Sequence, residues 1–104
     1  MASVHKLSLP QLQRLIRERS ANAGVVFLTT HCRLRMRQRH VSLALLLDVL
    51  RQGRLRLPAE PDARHGSLVC RMEHFVAGRD LAAAVALSDD ESGVLVVTVI
   101  DLEE

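Results

Sequence analysis

The sequence predicts a single α+β domain in which two or three N-terminal helices pack on an antiparallel sheet of about four strands. Three observations carry that expectation. A chain of 104 residues, 48% hydrophobic and 25% charged, is long enough for one core and too short for two. Up to Gly53 the apolar residues recur at helical spacing behind residues that cap helices. Beyond Gly66 they recur at period two or in short continuous runs bounded by turn residues. The one domain therefore spans 1–104, mainly helical and basic over 8–53 and an antiparallel sheet over 54–102.

The run Ser8-Leu9-Pro10-Gln11 places a capping hydroxyl, a proline in the first turn and a glutamine positioned for a capping box. Leu12, Leu15, Ile16 and Arg19 continue at helical spacing, and the helix should end before Asn22-Ala23-Gly24. Val25 to Thr29 is short and β-branched, hence a strand or an extended lead-in. From His31 to His40 two signals compete. Cys32, Leu34 and Met36 alternate with arginines as in a strand, but Arg, Leu, Met and Gln favour helix and Thr29 or Thr30 can cap it. A helix is expected there. Ser42 caps a third helix with Leu43, Leu46, Leu47 and Leu50 on one face and Gly53 as terminator.

Arg54 to Leu57 reads as a short strand and Pro58 to Gly66 as a loop. In 68–77, Leu68, Cys70, Met72, His74 and Val76 share one strand face, and Val69, Arg71, Glu73 and Phe75 the other. Leu81 to Leu87 and Val94 to Ile100 are almost wholly apolar, as central strands covered on both faces would be. Turns at Gly78-Arg79-Asp80 and Asp89 to Gly93 make these three strands an antiparallel meander.

The net charge of +2 conceals a split. Through Leu57, eleven Lys and Arg face two acids, a balance of +9; from Pro58 onward three Arg face ten acids, a balance of −7. Such a division serves either a phosphate-binding surface or two halves that neutralise each other across the fold. The start, Met1 to Lys6, lacks the apolar core of a signal peptide, and no apolar run approaches the roughly 20 residues of a membrane span. A cytoplasmic location and no membrane partner are expected. Cys32 and Cys70 are the two cysteines, in no CxxC spacing, and are expected as small buried apolar residues.

No GxGxxG, P-loop, HExxH or GxSxG pattern is present, and the only aromatics besides histidine are Phe27 and Phe75, which disfavours a base-stacking sheet. A zinc site from His31, Cys32, Cys70 and His74 is disfavoured by spacing, since Cys70 and His74 lie roughly 13 Å apart along one strand. No metal and no cofactor are expected. If 31–40 is helical, His31, Arg35 and Arg39 stand along one face at four-residue intervals. Guanidinium groups at that spacing suit phosphate oxygens, and a histidine beside them suits proton transfer to a phosphodiester. A solvated charged face is the competing reading of the same residues.

The stretch Thr30-His31-Cys32-Arg33-Leu34-Arg35-Met36-Arg37-Gln38-Arg39-His40-Val41-Ser42 resembles the opening motif of the domain-of-unknown-function family 4258. Leu50-Arg51-Gln52-Gly53 resembles that family's helix end, and Leu95 to Val99 its closing strand, so the likeness covers roughly residues 27–100. The motif residues fall on His31, Arg35, Met36 and Arg39, with Gly53 as structural terminator. His40 stands where a glycine is common, and Ile100 where an aromatic residue is often found. The family is grouped with small toxins of the RelE and BrnT type, so the resemblance implies a RelE/BrnT-like fold, action on RNA or the ribosome, and restraint by an antitoxin. An endoribonuclease of this kind would use His31 as its catalytic group and Arg35 and Arg39 as phosphate-binding groups. Without Tyr it would work with His and Arg alone. The expected partners are RNA or the ribosome, and an antitoxin or other acidic protein. The alternative is a non-catalytic interaction module, an immunity, regulatory or complex-forming protein whose basic face binds an acidic partner.

Overall fold

Ser8 opens helix α1 (Leu9–Ser20) through a complete capping box: its hydroxyl accepts from the Gln11 amide, and the Gln11 side chain accepts from the Ser8 amide. The computed structural model describes residues 3–103. After α1 come strand β1 (Val26–Leu28), helix α2 (Thr30–Gln38), helix α3 (Leu43–Gln52), and strands β2 (Arg54–Leu55), β3 (Glu60–Asp62), β4 (Ser67–Val76), β5 (Arg79–Leu87) and β6 (Val94–Asp101). Short 3-10 turns occupy Val4–Lys6 and Ala23–Val25. The class is α+β, and the segment of conflicting signals is helical, with Thr29 rather than Thr30 as its cap.

The sheet is larger than four strands and is mixed. Its order is β1-β6-β5-β4-β2, with β3 also paired to β4. The expected meander is present, since β4, β5 and β6 pair antiparallel in sequence. Two additions were hidden in the sequence. β3 lies inside the segment read as a loop, and β1 runs parallel to β6, Phe27 opposite Leu95. The β4–β5 turn is Ala77-Gly78, both with positive φ (53° and 74°), as a two-residue hairpin turn requires, so Arg79 and Asp80 belong to β5.

Leu68, Cys70 and Met72 on β4, Leu81, Ala83, Val85 and Leu87 on β5, and Val94, Val96 and Val99 on β6 are buried beneath the helices, which add Leu12, Ile16, Cys32, Met36, Leu46, Val49 and Leu50. Gly53 is needed for close approach and not for a left-handed backbone: its φ is −73°, and a Cβ there would lie 2.2 Å from the Val49 carbonyl oxygen. The expectation that β5 and β6 are covered on both faces is not met. The opposite face, with Phe27, Val69, Ala84, Ala86, Leu95 and Thr98, has no helix over it among the described residues, and Phe27 and Leu95 stay 53% and 40% exposed.

Candidate functional site

Helix α2 is anchored at both ends by contacts that its own sequence does not reveal. The register of β5 with β6 slips between Ala84↔Thr98 and Val85↔Val96, leaving Val97 as the extra residue of a β-bulge. Thr29 donates its hydroxyl to the freed Val97 carbonyl at 2.8 Å, and the Thr29 hydroxyl oxygen itself accepts from the Cys32 amide at 2.9 Å. One threonine thus caps the helix and fixes it to β6. At the other end Val41 N–H reaches the Met36 carbonyl at 2.9 Å and His40 N–H the Arg37 carbonyl at 3.3 Å, a Schellman pattern with His40 in the left-handed region at φ 54°. Arg79 donates to the Arg39 and His40 carbonyls at 2.6 and 2.8 Å while its guanidinium contacts Asp101 at 3.3 Å.

Cys32 and Met36 turn inward, and the arginines divide to either side of them. On one flank stand the three residues singled out from the sequence. His31 is exposed in the first turn, Arg35 is half-buried and donates to the Gln38 side chain at 3.0 Å, and Arg39 lies just past the helix, half-buried and donating to the Val99 carbonyl at 3.5 Å. Arg39 and Arg79 also act on Asp101, whose carboxyl is held below the usual range by the Glu103 amide first and by Arg79 next.

The other flank was missed. Arg33 and Arg37, also four residues apart, are exposed and border a shallow groove of about 820 Å³ with His40, Ser42 and Leu43, over a floor of Leu28, Met36 and Val41. Neither arginine is engaged by a hydrogen bond or ion pair of its side chain among the described residues. His31, Arg35 and Arg39 do not line this groove. The signal that would have found it is present in the sequence: Arg33 and Arg37 have the same spacing as Arg35 and Arg39, and only the direction of the buried face distinguishes the two pairs.

Other arginines of the basic half are committed to the fold. Arg17 donates to the Gly53 and Gln52 carbonyls, Arg51 to those of Ser20 and Ala21, and Arg19 to those of Glu91 and Gly93. The +9 of this half is therefore neither all surface charge nor all paired with acids. The cysteines are buried: burial raises the Cys32 thiol against the opposing pull of Arg33, and pushes Cys70 up to about 11. Among the described residues no three His, Cys, Asp or Glu come together as a metal site, and no helix is long and apolar enough to cross a membrane.

Residues 28–101 match the family described as Domain of unknown function (DUF4258). No curated protein and no solved structure matches the chain.

Proposed function

The chain belongs to this family, and from that premise we propose that it is a RelE/BrnT-like toxin or toxin relative that acts on RNA or the ribosome through the basic helix α2. The observation that carries the reading is the pair Arg33 and Arg37: two adjacent guanidinium groups, exposed beside a groove, with no acid answering them among the described residues. Cations left unneutralised at the surface attract phosphate, and the forked geometry of arginine suits its oxygens. Arg35 on the opposite flank adds a further charge, so the helix carries cations on both flanks. His31, exposed in the first turn on the Arg35 flank, is the group we assign to proton movement at a phosphodiester held on that side.

A second reading, docking of an acidic protein, is supported by a separate observation: Leu34 and Leu43, beside these arginines, are exposed. Phosphate contacts do not use such apolar surface, whereas a protein partner would bury it.

The test is a salt titration of binding to a short labelled single-stranded RNA. Each lost phosphate contact should reduce the slope of log affinity against log salt by about 0.7, so Arg33→Ala/Arg37→Ala should reduce it by roughly 1.4. The same variants, with His31→Ala, are then scored for growth arrest on expression and for RNA cleavage. His31→Ala should abolish cleavage while RNA binding and circular dichroism persist. Absence of RNA binding at low salt by the folded wild type, together with harmless expression, would leave the acidic-protein reading standing.

A further inference from the structure

We propose that the helix-free face of the sheet is covered by the same face of a second copy of this chain, forming a two-fold dimer with the sheets back to back and the helices outward. The inference is independent of the RNA reading, because α2 lies on the opposite side of the sheet. Three observations point to it.

The face is built as an interior. The pairings Phe27↔Leu95, Leu95↔Ala86 and Ala86↔Val69 make an apolar row that crosses four strands without interruption. Beside it run Thr98, Ala84 and Arg71, then Ile100, Ala82 and Glu73. The alanines keep the middle of the face low, and the first row bounds an open trough of about 690 Å³. Gly93 contributes too, for a Cβ there would lie 2.9 Å from the Phe27 ring, which occupies that place. Apolar strands of this composition are those that proteins cover on both sides.

Its size suits a sheet and not a small ligand. Strands β4, β5 and β6, of 10, 9 and 8 residues, with the three residues of β1 beside them, make a face of roughly 500 Å² in projection at about 4.8 Å between strands, of the same order as the roughly 800 Å² that each partner gives to a standard interface. A small molecule in so open a trough would leave much of its surface wet.

The charges choose between occupants. At the end where Phe27 and Val69 lie, the trough is bordered by Asp62, Asp90 and Glu91, with His65 held by Asp62 at 3.0 Å. Toward the other end the same face carries Arg54, Arg56 and Arg71 against Glu73 and Asp80. A uniformly basic or acidic partner would match one end and oppose the other. A two-fold axis lying in the interface and running across the strands turns one copy's acidic end toward the other's arginine-bearing end, and two-fold dimers are the commonest closed assemblies.

The experiment is sedimentation equilibrium of the full chain from about 1 to about 200 μM, with wild type, Leu95→Glu, and Asp90→Lys/Glu91→Lys. Leu95 is already exposed in the single chain, so its replacement should leave the circular dichroism intact; Thr98→Glu, in the central row, is the second variant should it not. The wild type should weigh twice the single chain, Leu95→Glu should be monomeric throughout, and the charge reversal should weaken association at least tenfold at low salt and little at high salt. A wild type that stays monomeric at the top concentration overturns the proposal. So does a dimer indifferent to Leu95→Glu and Thr98→Glu, which would use another surface, or one indifferent to the charge reversal, which would lack the proposed pairing of ends.

Discussion

Arg17 and Arg51 each close the helix to which the other belongs. Arg17, on α1, donates to the Gly53 carbonyl at 3.0 and 2.7 Å and to Gln52 at 3.2 Å, at the end of α3; Arg51, on α3, donates to the Ser20 carbonyl at 2.8 Å and to Ala21 at 3.3 Å, at the end of α1. The last carbonyls of a helix have no partner within it, and they carry the negative end of its dipole. Half-buried guanidinium groups satisfy both needs at the junction where the two C-termini meet.

Removing either arginine should therefore destabilise the fold without touching α2. Arg17→Ala and Arg51→Ala should each cost about 1–3 kcal/mol in urea unfolding. Lysine in either place should recover only part of the loss, because it keeps the charge but not the fork. As both arginines hold one α1–α3 junction, the double replacement should cost less than the two separate losses together. Losses below about 0.5 kcal/mol each would reduce these contacts to surface decoration.

Ser20 supplies the converse case. Its carbonyl is held by Arg51, but its hydroxyl is fully buried and has no hydrogen-bond partner among the described residues. A buried hydroxyl without a partner costs about 1–3 kcal/mol, and alanine is the better helix former by about 0.5 kcal/mol. Ser20→Ala should raise the melting temperature. A clear fall in a calorimetric scan would mean that the hydroxyl is satisfied in solution.

What the sequence revealed and what it concealed divide by distance along the chain. The caps Ser8, Thr29 and Ser42 were legible because each acts on an amide within three residues. The parallel pairing of Val26 with Val94 was not, because nothing local in three residues of β1 names a partner 68 positions away. Glu60-Pro61-Asp62 carries the residues of a loop, yet it lies at the sheet margin against β4, where a proline is tolerated. In the candidate site, the four-residue spacing of arginines was visible, but two such pairs share α2, and only the inward turn of Cys32 and Met36 tells which flank opens on a groove. Nor could composition distinguish Arg37, left at the surface, from Arg17, bound to a carbonyl.

The buried Cys70 thiol sets an alkaline limit. Burial pushes it up to about 11 from the ordinary thiol value of 9.0. Between those values the unfolded chain has released a proton that the folded chain retains, so stability should fall as pH rises from about 9 to about 11 and be unaffected by this group below that window. Melting temperatures taken across that range should decline more steeply for wild type than for Cys70→Ala, although the variant starts lower because it leaves a cavity. Parallel slopes would show that other groups govern the alkaline transition. At pH 8 neither thiol of the native protein should react with a disulfide reagent, since both cysteines are buried.

His40 joins backbone strain to the candidate site. A residue with a Cβ at φ 54° is strained by roughly 1 kcal/mol, a cost that glycine avoids, yet the imidazole here borders the groove with Arg33 and Arg37. Strain held in place by surrounding contacts is a reason to look for function, and the Arg79 bonds to the Arg39 and His40 carbonyls are such contacts. His40→Gly should gain about 0.5–1 kcal/mol, a rise of a few degrees in melting temperature for a domain of this size. The same variant should weaken RNA binding severalfold if the groove holds phosphate. His40→Asn separates the two effects: asparagine tolerates the left-handed backbone better than histidine, and it also lacks the imidazole. Its stability should therefore fall between histidine and glycine while its RNA affinity matches that of the glycine variant. A fall in stability with His40→Gly would show that the ring contributes more by packing than its backbone costs. Unchanged RNA affinity in both variants would remove His40 from the interface and leave the groove to Arg33 and Arg37.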